Sequence, residues 1–383
     1  MATDAKGKEL PKGITWRQRE QSYYWRFQYN GENYSGYEKK LPAAIKAMND
    51  TKYEAEHGLF AKESNITVDA WYKTWIEEYK PLTVKQGTII IYENAYSNYI
   101  KGFIGKKKLK DVRPEHIQKL YNELNKTLSR NTIQTVSQVL NGMYKQAIEN
   151  GIVVKNPALN VKKPREEEKT EKVILSKEQQ KNFLEAAVGN YLFEMIKLAL
   201  FTGMRSGELR ALQWEDIDFK NSVIKVRHTL KYTVKTGFFM DSPKTKTSKR
   251  EIPMLEGVKL LLKNHRKEQL ERKIVLGEKW RAMEGFEQLV FTTHFGRPIQ
   301  NTVFNLELKR ICTNLQSNDK DFPVISPHCL RHTFATRGLE NGMDPKVMQT
   351  ILGHSTLAMT MDLYAHVLPN TKAEELKKLF SLF

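Results

Sequence analysis

Alternation dominates the first sixty residues of the chain. Tyr23-Tyr24-Trp25-Arg26-Phe27-Gln28-Tyr29 interleaves aromatic rings with polar groups, Asn30-Gly31 follows, and a second short run spans Asn33 to Tyr37. Successive side chains of a strand point to opposite faces, and Asn-Gly accepts the positive φ of a tight turn, so the pattern predicts a hairpin. A further strand near Ile14 to Arg17 and a helix from about Pro42 to His57 complete a small sheet backed by one helix.

From residue 65 the apolar period becomes helical. Thr67 is an N-cap for a helix bearing Trp71, Trp75 and Ile76, and a second helix runs from about Thr88 to Ile100. Pro114 occupies a first turn ahead of Ile117, Leu120, Tyr121 and Leu124, and Asn131 to Glu149 forms a fourth helix closed by Gly151. Asn160 to Thr170, with Pro164 and mixed charge, has no apolar period and reads as a linker. Beyond it Ser176 begins a helix, Tyr191 to Phe201 is apolar enough to be core, Ser222 to Pro253 is strand-rich, and a final helical set starts at Pro327. The expected architecture is multidomain α+β. It comprises a sheet-plus-helix head over residues 1–64, a helical bundle over 65–162, a linker over 163–172, and a mainly α domain with a β-hairpin and a C-terminal tail over 173–383.

Charge narrows the choice of partner. The chain holds 62 Lys and Arg against 44 Asp and Glu, a net +18 that points to a polyanion. Residues 65–165 are the most basic for their size, with 17 basic and 8 acidic side chains, and Lys101, Lys106, Lys107, Lys108 and Lys110 gather at one connection suited to phosphate. In the head, Arg17, Arg19, Trp25, Arg26 and Lys39 are candidates for contact with DNA, because a small sheet can enter a major groove. No stretch approaches the ~20 apolar residues of a membrane span, and the polar N-terminus lacks the apolar core of a signal peptide, so a cytoplasmic protein is expected. Cys312 and Cys329 are the only cysteines, which leaves no disulfide framework and no cysteine-rich zinc site; no structural metal is expected.

Chemistry-bearing residues recur in the last domain. Thr202-Gly203-Met204-Arg205-Ser206-Gly207-Glu208 places an arginine between two glycines at the end of an apolar helix, a turn that can aim a guanidinium from a buried support. His328 and Arg331 stand three apart, on one helical face. Gly353-His354 sets a second histidine at a helix break, and ten residues on, Tyr364 lies on the last strongly patterned helix. Between these motifs, Ser242-Pro243-Lys244-Thr245-Lys246 forms a lysine-loaded turn ahead of a strand-like end. Any one of these side chains is ordinary in a chain with 16 tyrosines and 9 histidines; their ordered combination is not.

That order resembles the tyrosine recombinase family, the lambda-type phage and conjugative-transposon integrases, whose signature is Arg, Lys, His-x-x-Arg, His and a C-terminal Tyr. The motif match spans roughly the last 210 residues. The helical segment and the sheet resemble the family's core-site and arm-site DNA-binding domains by pattern only. The resemblance implies a catalytic set of Arg205, Lys244, His328, Arg331, His354 and Tyr364, with Tyr364 as nucleophile and a 3′-phosphotyrosine intermediate that integrates or excises a mobile element. Arg205 and Arg331 would neutralise the charge that grows on the phosphorus centre. Glu208 would orient them, although pairing of the arginines with Glu208 or Asp216 is also open as a purely structural role. Lys244, or Lys246 as its close rival, would protonate the leaving 5′ oxygen. His328 would help the phenol, while His332 and His366 flank the motifs without an assigned step. The resemblance further implies no cofactor, no metal, double-stranded DNA with core and arm sites as substrate, a tetramer on DNA, and accessory bending and excision factors. The amphipathic stretch Thr371 to Phe383 would dock on a neighbouring protomer or on its own domain. A type IB topoisomerase would use the same set for strand relaxation, and a DNA-binding regulator would need only the basic surface.

Overall fold

The computed structural model describes residues 3, 4, 7, 9–56, 65–165, 173–234, 236–242 and 249–364, without the side chains of residues 54, 56, 363 and 364. They form two compact units, Met1–Lys169 and Thr170–Phe383.

In the first unit, β1 (Ile14–Arg17), β2 (Ser22–Tyr29) and β3 (Glu32–Glu38) make an antiparallel sheet in that order, with Tyr29 opposite Glu32 across the Asn30-Gly31 turn. Asn30 and Gly31 both take positive φ, as the hairpin requires. Helix α1 (Leu41–Glu56) packs on β2 and β3. Ile14, Trp25 and Ala44 are the buried centre, with Tyr23, Phe27 and Tyr34 against them. Trp25 is 7% exposed, and a Cβ on Gly36 would meet its ring at 2.6 Å. The expected DNA contact from Trp25 is therefore corrected: its ring fills the sheet–helix core and is not displayed. Arg17, Arg19, Arg26 and Lys39 are all exposed, with Arg17 lying 5.2 Å over the Tyr24 ring.

The helical part of this unit contains α2 (Val68–Thr74), α3 (Gln86–Ala95), the single turn α4 (Lys101–Ile104), α5 (Pro114–Leu124) and α6 (Arg130–Glu149). Thr67 caps α2 by accepting from the Ala70 N–H. Both α2 and α3 run on through a π turn, Trp75–Tyr79 and Tyr96–Ile100, and the second helix starts at Gln86, two residues earlier than the pattern implied. The Lys106–Lys108 connection is pinned by its backbone, Val68 N–H donating to the Lys107 carbonyl and Leu109 N–H to the Ile66 carbonyl, while the three lysine side chains are exposed.

The second unit opens with α7 (Lys177–Ala186), capped by Ser176, and α8 (Phe193–Thr202), whose Met195, Ile196, Leu198 and Ala199 are core. The short helix α9 (Ser206–Ala211) leads to two small sheets. One contains β4 (Ile217–Asp218), β5 (Val223–Val226) and β8 (Arg250–Pro253); the other is the hairpin of β6 (Thr229–Thr233) and β7 (Gly237–Asp241). Then follow α10 (Glu256–Leu276), α11 (Asn301–Gln316), α12 (Pro327–Glu340), α13 (Pro345–Leu352) and α14 (Leu357–Tyr364). Helix α12 packs on α8, and α14 contacts both α12 and α13. These contacts gather three distant stretches of chain at one place.

Candidate functional site

Two left-handed glycines build the floor of the site. Gly203 ends α8 with φ of 62°, and a Cβ there would lie 2.4 Å from Phe334 and 2.7 Å from Leu352. Gly353 ends α13 with φ of 64°. Glycine alone accepts both the conformation and, at position 203, the close approach.

The end of α13 then acts as an anchor for arginines. A helix leaves its last carbonyls without intrahelical partners and carries partial negative charge there. Arg250 Nε donates to the Ile351 carbonyl (2.5 Å), Arg331 Nη2 to Leu352 (2.8 Å) and Arg205 Nη2 to Gly353 (2.9 Å). Three guanidinium groups from three segments thus dock on three successive carbonyls, and the next residue is His354. Arg331 also donates to the Gly203 carbonyl at 2.8 Å, closing the loop between the two glycine turns.

Glu208 holds this cluster from the other side. It is 4% exposed and accepts four hydrogen bonds. Oε1 takes Arg205 Nη1 at 2.8 Å and Arg250 Nη1 at 3.1 Å; Oε2 takes the Arg205 backbone N–H at 2.9 Å and Arg250 Nη2 at 2.8 Å. Burial alone would raise its carboxyl, but the Arg250 hydrogen bonds and charge, followed by those of Arg205, bring it below its ordinary value. Glu208 is therefore an anion within three guanidiniums. Asp216, the alternative ion-pair partner, instead meets Arg227 Nε at 3.2 Å.

The arginines differ in access. The Arg205 side chain is 35% exposed, whereas Arg331 is 2% exposed, and burial with the neighbouring Arg205 charge lowers its guanidinium to about 9. Each has five N–H groups, of which two side-chain donors are engaged within the described residues. His354 is 7% exposed and its Nδ1 lies 2.9 Å from the Thr360 hydroxyl. Burial first, then the charges of Arg331 and Arg205, lower its pKa to about 3, so the imidazole is neutral at physiological pH. His328 is exposed at the start of α12, its ring 4.3 Å from that of His332 in a T-shaped pair.

The structure brings together Arg205, Glu208, Arg331 and His354, with the His328–His332 pair on the same helix as Arg331. The backbone of Tyr364 ends α14, which starts three residues after His354. Lys244 and Lys246, His366 and the tail Thr371 to Phe383 lie outside the described residues. In sequence, Lys244 and Lys246 fall between β7, where Lys231 Nζ meets Asp241 Oδ2 at 2.5 Å, and β8, which opens with Arg250 of the cluster. Sequence reasoning assigned no role to Arg250 or Thr360. Arg250 left a signal, being an arginine in phase with buried Ile252 on a strand that alternates buried and exposed. Thr360, fully buried on α14, left none.

Residues 172–371 match the phage integrase family, and residues 67–125 match the phage integrase N-terminal SAM-like domain. The chain is 31% identical over 343 residues to a tyrosine recombinase XerC-like protein of Caldanaerobacter subterraneus subsp. tengcongensis, covering 85% of this chain and 86% of that one. It is 29% identical to the transposase from transposon Tn916 of Enterococcus faecalis over 65% of this chain and 61% of the relative. Among solved structures, a Tn1549 transposon integrase in complex with transposon right end DNA superposes with a TM-score of 0.69 at 28% identity, over 82% of this chain and 99% of the other.

Proposed function

Because the chain belongs to the phage integrase family of tyrosine recombinases, we propose that it is a site-specific DNA recombinase that cleaves and rejoins strands through a 3′-phosphotyrosine at Tyr364. The observation that carries this reading is the docking of Arg205 and Arg331 on the adjacent carbonyls Gly353 and Leu352, directly before His354. A scissile phosphate is stable because its charge repels nucleophiles, and preorganised donors relieve that repulsion without reorganising in the transition state. Arg205 and Arg331 retain unused N–H groups for the non-bridging oxygens. With the Thr360 hydroxyl donating to Nδ1, neutral His354 carries its proton on Nε2 and donates it to a phosphate oxygen.

In the proposed step the Tyr364 phenol attacks phosphorus, its proton passing to His328 or solvent, and the bond to the 5′ oxygen breaks. Lys244, or Lys246, protonates that oxygen. The phosphodiester energy stays in the phosphotyrosine, so a 5′ hydroxyl from another strand can reverse the chemistry without ATP or a divalent metal. Exchange between two duplexes requires several protomers, and a tetramer on DNA satisfies it, with the tail Thr371 to Phe383 as a contact between neighbours and accessory factors setting direction.

The remaining assignments follow charge. Residues 65–162, with Lys106, Lys107 and Lys108 exposed, take the core site; residues 1–64, with Arg17, Arg19, Arg26 and Lys39, take arm sites; and residues 163–172 link them to the catalytic domain. Double-stranded DNA is the substrate, which the DNA-bound Tn1549 relative supports. Among the described residues no helix is long and apolar enough to cross a membrane. Two distinguishable linear duplexes bearing the attachment sites test the reading. Joint molecules between them are expected; relaxation of supercoiled DNA without any joint product would favour a type IB topoisomerase instead.

A further inference from the structure

His265 on α10 lies apart from the arginine cluster and is 5% exposed. Its Nε2 is 2.8 Å from the Val290 carbonyl, which can only accept, so Nε2 carries the proton of the neutral ring. Nδ1 is buried and has no hydrogen-bond partner among the described residues. With that proton on Nε2, Nδ1 carries a lone pair. One ring nitrogen of His265 and one carboxylate oxygen each of Glu194 and Glu268 lie within 4.8 Å of one another, the one such convergence among the described residues. Two carboxylate oxygens and an imidazole nitrogen this close together make a donor set that a cation can share.

We propose that Glu194, His265 and Glu268 bind a zinc-type divalent ion that ties α8 to α10. Imidazole with carboxylates suits zinc better than magnesium or calcium, which prefer all-oxygen shells. Three protein ligands leave a fourth position for water, and Glu268 is exposed. The Nε2–H bond to the Val290 carbonyl is the outer support that fixes the ring and raises the basicity of the coordinating nitrogen. His265 and Glu268 are three apart on one helix face, and Glu194 is in the first turn of α8. Zinc at about 2.0–2.1 Å from each donor needs donor atoms roughly 3.3 Å apart, so the glutamate side chains close slightly around the ion. The site is remote from the arginine cluster: α8 runs ten residues, about 15 Å, from Glu194's end toward Gly203 and Arg205. Its effect is to stiffen the helix whose far end presents Arg205.

The test is calorimetric titration of the full chain, stripped with a chelator, using zinc and magnesium ions, with melting temperature and the absorption spectrum of the cobalt-loaded protein as second readouts. Expected are one zinc bound per chain, a rise of several degrees in melting temperature, a tetrahedral cobalt spectrum, and no comparable response to magnesium. Glu268→Gln and Glu194→Gln should each weaken zinc binding at least tenfold while the metal-free melting temperature stays within about two degrees of wild type. His265→Gln should abolish binding, and the two glutamate variants keep the test valid if that buried substitution disturbs folding. Zinc affinity unchanged in both glutamate variants, or no saturable uptake by the wild type, would overturn the proposal. So would ring nitrogen signals showing His265 doubly protonated in the presence of zinc.

Discussion

Replacing Glu208 with glutamine isolates the contribution of its charge to the arginine cluster at nearly constant volume. The carboxylate accepts four hydrogen bonds, two on each oxygen, from Arg205 and Arg250. A glutamine has one NH2 in place of an oxygen, so whichever way the amide turns, two donors face two donors. It also leaves Arg205, Arg250 and Arg331 together without their common anion. Breaking a buried ion pair by removing one partner costs about 3–5 kcal/mol, because the surviving charge stays buried. In a domain of this size each kcal/mol lowers the melting temperature by roughly 2–4 °C, so a fall on the order of 10 °C is expected. Cleavage of a nicked attachment-site duplex should slow at least about a hundredfold, since Arg205 loses the partner that fixes its rotamer. Scanning calorimetry and single-turnover cleavage below the melting transition measure the two effects separately. A Glu208→Gln protein that melts within 2 °C of wild type and cleaves at a similar rate would refute the claim that Glu208 organises the site.

Three further expectations follow from the same geometry. If a lysine of the loop between β7 and Arg250 is the acid, Lys244→Ala or Lys246→Ala loses cleavage of ordinary DNA but recovers it when the leaving 5′ oxygen is replaced by sulfur, which leaves without a proton; no recovery in either variant would exclude both lysines. Acid stability reports on His354, which stays neutral in the fold down to about pH 3 but takes up a proton near 6.5 when unfolded. The unfolded state therefore binds more protons between these values, and stability falls as pH drops below about 6.5, by roughly 1–2 kcal/mol at pH 5. Urea unfolding of His354→Asn should show a correspondingly shallower loss between pH 7 and 5, while the Glu208 contribution, in the same direction, sets in only below about pH 4.5. Gly203→Ala combines a φ of 62° with a methyl 2.4 Å from Phe334, and should destabilise by about 2 kcal/mol or more in thermal unfolding; a neutral result would mean that α12 and α8 can separate freely.

What the sequence disclosed and what it concealed divide along the range of the interactions. Thr67 and Ser176 announce their helices, and Asn30-Gly31 its hairpin, because capping and turn chemistry act within three or four residues. Arg205 and Glu208 were readable as a pair for the same reason, standing at the start of one helix. The docking of three guanidiniums on the Ile351, Leu352 and Gly353 carbonyls was not, since its partners are separated by between 21 and 148 residues and carbonyls carry no residue-specific mark. Trp25 shows a subtler limit. Alternation told that one face of β2 is aromatic, but only the path of α1 decides which face is covered, and it covers the one bearing Trp25. The lysines of the basic connection are exposed as their charge implied, but the backbone hydrogen bonds that pin the connection run to Ile66 and Val68, 43 and 39 residues away in sequence, and were not legible.

The central claim is that a phosphate held by Arg205, Arg331 and His354 is attacked by the phenol at the end of α14. A nicked attachment-site duplex that traps the intermediate, followed by proteolysis and mass mapping of the DNA-linked peptide, reads this out directly. The account predicts a single adduct at Tyr364 that disappears in Tyr364→Phe. An adduct on any other side chain, or its persistence in the phenylalanine variant, would contradict it.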